Sequence, residues 1–432
     1  MRRSHALVAG AGYSGLLAAR VLADHYDKVT LLDRDDIGDL DTPRKGAPQG
    51  YHPHYLLERG ALVLEELFPG LRADMEAEGV ATVDFGEQMR FRLPSGWTPL
   101  TPTGIHVQSM SRPYLEQQLR RRVTKHPNVI VRYGFTVDGL QCGGVPRRVR
   151  GVYGRHHAKD EQITADLVCV ATGRDHQFSQ WIDRIGITGV KELAVTADVA
   201  YTTRNYSGRP STTLSVEGIL LYAPTQSRGG GTVLLEKGRS MTILFGAAGN
   251  LPPTDDDGFL ACTKDLGLPH ITEFVANATP AIPTRRFIDK GNRWRLVHKA
   301  RDWPDGLIAL GDALCLFNPI YAQGLTVAAL QAQALAASLA KDETGRQYQR
   351  RCAAIIRLPW LMSTSSDLAW HTEGLRLVPR ASHWYLGRVI NLFPRHHDIY
   401  RTFALVQHMR RSPAALMSPR IALKALFQGG RP

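Results

Sequence analysis

The chain has 432 residues, more than one small core needs, and this length fits two or three lobes or one large two-lobed fold. Hydrophobic residues make up 43% and charged residues 22%, as in a folded globular protein, and the formal net charge is +13. No apolar run reaches the roughly 18 residues that a transmembrane helix needs, so we expect none.

The N-terminal third predicts a βαβ unit followed by mixed elements. Residues 5–9 form a short apolar strand ending at glycine, residues 14–22 a helix of small side chains, and residues 28–33 a second strand. Later segments predict a Pro/Gly loop at 42–51, a charged helix at 113–124, and strands at 129–133 and 166–171.

Between residues 187 and 248 the pattern changes to alternating strands and turns, which predicts an inserted antiparallel sheet. Residues 251–260 then open a helix, with an Asp as its cap. A strand at 306–310 precedes Gly-Asp-Ala and an Ala-rich helix that runs to about residue 340. Beyond it, helical stretches are predicted to break at the prolines, which are Pro359, Pro379, Pro394, Pro413 and Pro419.

The positive charge is concentrated at the C-terminal end. Residues 341–432 hold 15 Lys and Arg against 5 Asp and Glu, whereas the rest of the chain holds 38 against 35. This basic region predicts either a solvated helical face or contact with an anionic partner, such as a membrane surface or an acidic carrier protein. It lacks a recognised nucleic-acid-binding motif, and prolines interrupt any long basic helix, so nucleic acid is not expected.

The N-terminus and the cysteines predict a cytoplasmic protein, and the basic C-terminal region makes it a candidate for peripheral membrane contact. The apolar stretch after Arg3 is too short for a signal peptide, and the five cysteines are scattered without a C-x-x-C pair. His52 and His54 are interpreted as packed loop residues, because no third metal ligand is indicated. Cys315 is interpreted as a core thiol, because no base stands beside it in the sequence.

The first motif with a chemical meaning is G-x-G-x-x-G at residues 10–15. Gly10 allows the tight turn, Gly12 lets the backbone approach a pyrophosphate, and Gly15 lets the helix pack close to the strand. The helix N-terminus then offers N–H groups and a positive dipole end to the phosphates. Asp33, at the end of V-T-L-L-D, stands where a carboxylate would bind the ribose hydroxyls. These features predict a dinucleotide site, which the loop alone does not assign to FAD or to NAD.

Residues 306–330, which read G-L-I-A-L-G-D-A-L-C-L-F-N-P-I-Y-A-Q-G-L-T-V-A-A-L, resemble the flavin-binding Gly-Asp segment of the aromatic hydroxylase and squalene epoxidase group of FAD-dependent monooxygenases. The resemblance implies that Asp312 holds the flavin ribityl chain and that the loop from Pro319 to Gly324 lies along the isoalloxazine. It also implies that the helix start at Leu325 and Thr326 directs N–H groups at the flavin N1–C2=O edge. Ala322 departs from the family pattern N-P-x-Y-G-Q-G, and its methyl group is expected to crowd this loop slightly.

Three other segments carry the same resemblance. D-L-V-C-V-A-T-G-R at residues 166–174 is similar to the strand that ends in Ala-Thr-Gly behind the cofactor, and Arg112 in S-M-S-R-P-Y-L-E is similar to a helix arginine that reaches FAD. R-K-G-A-P-Q-G at residues 44–50 is similar to the loop over the flavin in bacterial epoxidases of polyketide and polyether pathways. The expected cofactor-binding residues are Gly10, Gly12, Tyr13, Ser14, Gly15, Asp33, Arg34, Arg44, Gln49, Gly50, Arg112, Thr172, Gly173, Asp312, Pro319, Gly324, Leu325 and Thr326.

The resemblance implies an α/β fold: a Rossmann-type, p-hydroxybenzoate hydroxylase-like FAD-binding domain with an inserted antiparallel β-sheet substrate domain and C-terminal helices. The expected bounds are residues 1–186 together with 249–340 for the FAD-binding domain, 187–248 for the inserted sheet, and 341–432 for the basic helical region. Pocket walls are expected from residues 195–245 and from the large apolar residues of the C-terminal helices, which include Trp360, Leu361, Met362, Trp370, Trp384, Tyr385, Leu392, Phe393 and Phe403.

The expected activity is insertion of one oxygen atom from O₂ through a C4a-hydroperoxyflavin, by epoxidation or hydroxylation of a lipophilic polyketide, terpenoid or prenylated aromatic in secondary metabolism such as antibiotic biosynthesis. NADPH or NADH would supply electrons directly or through a partner flavin reductase, since no second G-x-G-x-x-G occurs. A W-x-W-x-I-P segment is also missing, which counts against a halogenase. The alternatives are an isoprenoid reductase or dehydrogenase and a non-redox cyclase that contains flavin. No catalytic residue is predicted.

Overall fold

The computed structural model describes residues 3–36, 42–145, 147–174, 176–196, 198–289, 291–370 and 377–430. The described strands are β1 (Arg3–Ala9), β2 (Tyr26–Leu32), β3 (Thr82–Asp84), β4 (Met89–Leu93), β5 (Gly96–Trp97), β6 (His106–Gln108), β7 (Val129–Arg132), β8 (Phe135–Gly143), β9 (Arg148–His156), β10 (Lys159–Thr164), β11 (Leu167–Val170), β12 (Glu192–Val195), β13 (Val199–Tyr206), β14 (Val216–Ile219), β15 (Arg228–Leu234), β16 (Ser240–Gly246), β17 (Arg285–Asp289), β18 (Asn292–Arg295), β19 (Leu307–Ala309) and β20 (Cys315–Leu316).

The helices predicted at residues 14–22 and 113–124, from 251–260 onward and up to about residue 340 are present, and the structure adds helices that were not predicted. The described α-helices are α1 (Tyr13–Ala23), α2 (Glu58–Leu67), α3 (Leu71–Ala77), α4 (Phe85–Gln88), α5 (Arg112–Val123), α6 (Gln177–Arg184), α7 (Asp256–Asp265), α8 (Pro269–Asn277), α9 (Gln323–Ala340), α10 (Gly345–Leu368), α11 (Leu377–Ile390), α12 (His397–Gln407) and α13 (Pro419–Gln428).

A parallel sheet in the order β19-β11-β1-β2-β7 forms the centre of the first lobe. Its strands consist mainly of apolar residues, as expected of a parallel sheet that helices cover. Helix α1 packs on α9 and α5 within the main core. The predicted βαβ unit is confirmed by β1, α1 and β2. An antiparallel hairpin sheet of β10, β9 and β8 lies beside it and packs against β11. The α/β fold class inferred from the sequence is confirmed.

The second lobe is built on a large sheet in the order β17-β13-β16-β15-β14-β4-β5. Four of its strands, β13 to β16, come from the segment predicted as an antiparallel insert, and they pair antiparallel except where β14 meets β4 in parallel. The sheet also takes β4 and β5 from residues 89–97 and β17 from residues 285–289, so it extends beyond the segment 187–248 in sequence. Local periodicity did not reveal that these distant strands join it.

The C-terminal helices cover one end of this sheet. Residues of α11, α12 and α13 form an apolar cluster with Phe85 and Met89. The predicted helix break at Pro359 is wrong, because Pro359 lies buried inside α10, where its packing outweighs the lost backbone bond. Pro379 falls in the first turn of α11, where a proline is tolerated, and Pro419 starts α13.

Within the described residues, no helix combines the length and the apolar character that a membrane crossing requires. Contact of the basic C-terminal region with a membrane surface or an acidic carrier protein stays a prediction.

The Asp84 carboxylate fastens the loop that leads from β4 and β5 to β6. It accepts hydrogen bonds from the backbone N–H groups of Gly86 (2.8 Å), Thr103 (3.0 Å) and Gly104 (2.7 Å). Burial opposes ionisation of Asp84, but these donors outweigh it and lower the pKa of the carboxyl group. The next residue, Phe85, lines the cavity described below, so these hydrogen bonds help to position one part of the cavity wall.

We expect Asp84→Ala to lower the free energy of unfolding by about 2 kcal/mol, because several backbone donors lose their acceptor together. Urea unfolding measures this change. Asp74→Ala is the matched control, since Asp74 is 69% exposed and pairs with Arg122 at the surface, where we expect a change of at most about 0.5 kcal/mol. Equal effects of the two substitutions would contradict this account of Asp84.

Candidate active site

The candidate site lies where the parallel strands of the first lobe end. Gly10 follows β1, Asp33 follows β2, residues 171–174 follow β11, and Gly311 with Asp312 follows β19. Because parallel strands deliver their carboxyl ends to one edge of a sheet, these four loops meet. They line one cavity of about 630 Å³.

The cavity extends from these loops to the second lobe. Its walls there are mainly apolar and come from the large sheet and the C-terminal helices, through Phe91, Leu93, Val216, Leu220, Val233, Ile243, Phe245, Ile390, Phe393, Tyr400 and Phe403. Among the large C-terminal residues singled out in the sequence, only Phe393 and Phe403 belong to this lining. Trp360, for example, packs against Trp294 at a ring distance of 5.6 Å.

The glycine loop has the close contacts that its sequence predicts. Gly10 has φ +105°, and a Cβ on it would lie 2.5 Å from the carbonyl oxygen of Ala171. A Cβ on Gly15 would lie 1.8 Å from the carbonyl oxygen of Gly10. The loop, α1 and the end of β11 therefore pack backbone to backbone. Gly12 caps α1 without a side chain of its own, and the Tyr13 backbone N–H in the first turn makes a long hydrogen bond (3.4 Å) to Glu116 Oε1 at this positive end of the helix.

Buried ion pairs surround the start of α1. The Asp33 carboxylate accepts from the backbone N–H of Ala11 (2.8 Å) and from Arg44 Nη1 (2.8 Å). Arg44 also contacts Glu116 (3.2 Å), and Glu116 accepts from Arg112 Nε (2.9 Å). Two arginines that the sequence assigns to the cofactor are thus held by one carboxylate, which sits beneath the helix start.

The charge of Glu116 is maintained by these arginines. Burial by itself would raise the pKa of the Glu116 carboxyl, but Arg112 and Arg44, with a smaller effect of Arg120, hold that pKa at about 2. Sequence reasoning missed Glu116 as a site residue. The signal was present, because Glu116 stands four positions after Arg112 on one helix, the spacing at which opposite charges meet.

Fifteen of the predicted cofactor-binding residues line the cavity, and they are Gly10, Gly12, Tyr13, Ser14, Asp33, Arg34, Arg44, Gln49, Arg112, Thr172, Gly173, Asp312, Pro319, Gly324 and Leu325. The remaining three are not part of the cavity lining. Gly15 packs on Gly10, Gly50 packs on Pro43, and the Thr326 side chain is buried against Gly60. Their position in the cavity lining would place these residues beside a bound ligand. Their individual contacts with FAD stay a prediction.

The loop before α9 has a strained backbone at Ala322, whose φ is +54°. An L-residue in this left-handed region costs roughly 1–2 kcal/mol, and glycine avoids that cost. This explains in backbone terms why the resembling family has glycine here, a reason separate from the expected crowding by the methyl group. Gly311 is also closely packed, because a Cβ placed on it would lie 2.2 Å from Ser14 Oγ.

His52 and His54 both line the cavity, as the loop interpretation expected. His52 Nδ1 bonds to Thr203 Oγ1 (2.8 Å), and burial lowers the pKa of His52 to about 4. His54 donates from Nδ1 to the His52 carbonyl (3.0 Å) and accepts from Arg112 at Nε2 (3.2 Å). Burial, with the charge of Arg112, lowers the pKa of His54 to about 3. Both rings are therefore neutral at physiological pH.

Cys315 is a buried thiol whose pKa burial raises well above its usual range, as expected of a packed core residue. Tyr201, Tyr321 and Arg174 also line the cavity, and they lie in segments that the sequence assigned to the pocket wall or the cofactor, but none of them was singled out as a site residue. Arg174 contacts Asp289 (3.2 Å) and approaches Asp312 (3.9 Å). Arg174 lies far in the chain from both carboxylates, and no local sequence pattern predicts these contacts.

The fold is that of the FAD-dependent aromatic hydroxylase-type monooxygenases. A flavoprotein/dehydrogenase from Cytophaga hutchinsonii superposes with a TM-score of 0.69 at 14% identity, over 98% of this chain and 97% of that one. The structure of pqsL, a probable FAD-dependent monooxygenase from Pseudomonas aeruginosa, superposes with a TM-score of 0.64 at 16% identity, over 88% of this chain and 99% of that one.

Sequence comparison identifies a nearer relative. Protein Rv3254 of Mycobacterium tuberculosis is 32% identical over 397 residues, which cover 88% of this chain and 83% of that protein. The chain therefore belongs to the same family as Rv3254. No protein-family model matches the chain.

We expect Glu116→Gln to lower the free energy of unfolding by roughly 3 kcal/mol at pH 7, because a carboxyl whose folded pKa is about 2 contributes stability above its unfolded pKa of about 4.5. That contribution is lost as pH falls from about 4.5 toward 2. The difference between wild type and variant should therefore narrow on acidification, which urea unfolding at pH 7 and at about pH 3.5 measures.

Asp24→Asn serves as the control for this prediction. It removes an ion pair with Arg20 in which Asp24 is 57% exposed, so we expect a change within about 0.5 kcal/mol at both pH values. A difference for Glu116→Gln that stays constant with pH would contradict the assigned charge of Glu116.

Proposed function

We propose that the chain is an FAD-dependent monooxygenase that inserts one oxygen atom from O₂ into a lipophilic natural-product intermediate. The observation that carries the proposal is that one cavity joins the loops after β1, β2, β11 and β19 to a mainly apolar chamber in the second lobe. The polar loops suit a dinucleotide, and the apolar chamber suits a lipophilic substrate.

The residues present fit FAD. Gly173 and Gly324 line the cavity with open space beside their backbones, which a planar ring system can approach. The hydroxyl groups of Tyr13 and Thr172, both on residues that line the cavity, are buried without a hydrogen-bond partner, as expected of groups reserved for a ligand. The glycine-capped N-terminus of α1, with Arg34 and Arg44 nearby, suits a pyrophosphate, and Asp33 suits a ribose.

When bound, FAD would supply the electron transfer and oxygen activation that no amino-acid side chain provides. The chain's own residues would orient the substrate and exclude water. Phe245, Phe393 and Phe403 give the chamber an apolar lining, which protects reactive species from hydrolysis. NADPH or NADH is the proposed electron source, directly or through a flavin reductase. Epoxidation and hydroxylation, of a polyketide, a terpenoid or a prenylated aromatic, are both within this proposal.

Oxygen consumption tests the proposed activity. FAD-loaded protein is mixed with NADPH or NADH in air, while the flavin spectrum, oxygen and peroxide are recorded. We expect the flavin bands to bleach and return as oxygen is consumed. Bleaching without oxygen uptake would favour the reductase or dehydrogenase alternative. Flavin that neither nucleotide nor an added flavin reductase can reduce would overturn the proposal and favour a non-redox role.

Gly324→Val tests where the cofactor binds. A Cβ on Gly324 meets no atom within 4 Å, so a valine fits the protein but projects into the cavity. We expect FAD affinity to fall roughly 10- to 100-fold by steric overlap, with little change in unfolding free energy. Fluorescence titration with FAD measures it. Gly143→Val is the matched control, because Gly143 also has open space but lies exposed on β8 outside the cavity lining. Unchanged FAD affinity in Gly324→Val would contradict this location.

A further inference from the structure

Helix α13 carries apolar side chains on two faces. Ile421 and Ala425 lie on its inner face, buried in the apolar cluster that also contains residues of α11 and α12. On its outer face, Leu423 is 57% exposed, Leu426 48% and Phe427 81%. Leu426 and Phe427 follow Leu423 by three and four positions, so these three side chains form one outer stripe along the helix. Large apolar side chains that are exposed together mark an interaction surface.

Helix α13 is held in place by side chains of α11 and of the residues that follow it. Arg388 donates from Nε to the carbonyl of Ala425 (2.6 Å) and from Nη2 to the carbonyl of Leu426 (2.6 Å). Asn391 Nδ2 donates to the carbonyl of Gly429 (2.9 Å). These donors bind carbonyl groups at the end of α13, where intrahelical partners are missing. The outer stripe is therefore exposed on an anchored helix.

Trp384 extends the apolar surface from α13 onto α11. It is 43% exposed, and the Arg388 guanidinium carbon lies 5.1 Å from its ring centre. Because the same guanidinium group bonds to the last turn of α13, Trp384 lies close to that end of the outer stripe. An indole ring has an apolar body and a polar N–H group, and tryptophan is enriched where proteins meet the interface of a lipid bilayer.

Basic side chains accompany this apolar surface. Residues 377–430 contain eight Lys and Arg, and Asp398 is their one acidic residue. Arg420 and Lys424 stand three positions before Leu423 and Phe427, so they border the outer stripe on α13 itself. Arg420 contacts Asp398 at 3.0 Å, and both side chains are exposed to solvent, which makes this a weak pair. The excess of positive charge attracts an anionic surface.

The size of the apolar surface favours a lipid bilayer over a second copy of the chain. A stable dimer buries about 800 Å² on each partner. A large aromatic side chain contributes about 150–250 Å², so the outer stripe and Trp384, which are 43–81% exposed, offer well under that area. A narrow apolar stripe bordered by basic residues instead suits the headgroup region of a bilayer, into which such a helix face sinks by about 5–10 Å.

The outer stripe and the apolar chamber belong to the same layer of helices. The apolar cluster that holds Ile421 and Ala425 also contains Ile390 and Phe393, and these two residues line the cavity. Phe403 of α12 packs against this cluster and lines the cavity as well. A bilayer in contact with α13 would therefore lie on the other side of the helices that wall the chamber.

We propose that α13 and the adjoining part of α11 dock on an anionic lipid bilayer, with Leu423, Leu426 and Phe427 inserted among the lipid headgroups. The flanking basic residues contact lipid phosphates, and Trp384 lies at the interface. Shallow apolar insertion and electrostatic attraction act together, so the docking is peripheral and reversible. This inference goes beyond the proposed function and does not depend on it.

Co-sedimentation of the full chain with vesicles tests the docking. One set of vesicles contains phosphatidylcholine alone, and the other contains about 30% phosphatidylglycerol as the anionic lipid. We expect binding to the anionic vesicles to be roughly tenfold stronger than to phosphatidylcholine vesicles, and to weaken as salt screens the basic residues.

A triple variant connects binding to the outer stripe. Replacing Leu423, Leu426 and Phe427 by serine should lower the vesicle partition coefficient at least roughly tenfold, because the apolar area available for insertion is lost. The matched control replaces three comparably exposed side chains outside the C-terminal helices by serine, namely Leu100 (51%), Ile130 (48%) and Leu251 (57%), and should bind like the wild type. Phe427→Ser alone should give a smaller loss, and its single exposed change is compatible with folding.

The inference is overturned if the wild-type chain does not bind anionic vesicles, or if the triple variant and Phe427→Ser bind as well as the wild type does. Equal binding to both kinds of vesicle would also contradict it, because the basic residues would then have no role. A concentration-dependent dimer that the triple variant abolishes, without vesicle binding, would assign the surface to a second copy instead. Vesicle binding by a chain that binds no FAD would leave the docking intact and overturn only the proposed function.

Discussion

The site depends on the parallel order β19-β11-β1-β2-β7, because this sheet brings the ends of four strands to one edge. Gly10, Asp33, Ala171 and Gly311 are separated by up to 301 positions in sequence but follow neighbouring strands. Their backbones then approach so closely that a single Cβ on Gly10 would overlap the Ala171 carbonyl. The second lobe attaches to this edge, and its apolar sheet and the C-terminal helices close the far end of the same cavity.

Two buried carboxylates that bond to residues of the cavity lining show how environment separates chemical roles. Glu116 lies among arginines, which hold its pKa at about 2, so it stays ionised and positions Arg44 and Arg112. Asp367 is surrounded by neutral donors, and burial raises its pKa to about 6. One carboxylate is therefore suited to maintaining charge and the other to gaining and losing a proton near neutral pH. Neither role follows from residue type alone.

The sequence predicts more residues in the part of the site expected to bind the cofactor than in the part expected to bind the substrate. Gly10, Gly12 and Asp312 belong to short motifs whose spacing reflects backbone geometry, so the sequence predicts their position next to strands and helices. Tyr201 and Asp367 belong to no motif, and Asp367 bonds to residues 46 to 75 positions away. Such contacts arise from how lobes pack, as does the addition of β4, β5 and β17 to the large sheet. Pro359 likewise shows tertiary packing outweighing a local helix-breaking preference.

The central claim is that the edge of the parallel sheet and the chamber beyond it form a flavin site, and equilibrium titration of flavin-free protein with FAD tests this most directly. Flavin fluorescence and visible absorption are followed together as FAD is added. The account predicts saturable binding of one FAD per chain, with altered flavin bands that indicate a buried ring. A protein that leaves the flavin spectrum and fluorescence unchanged at every concentration would contradict it.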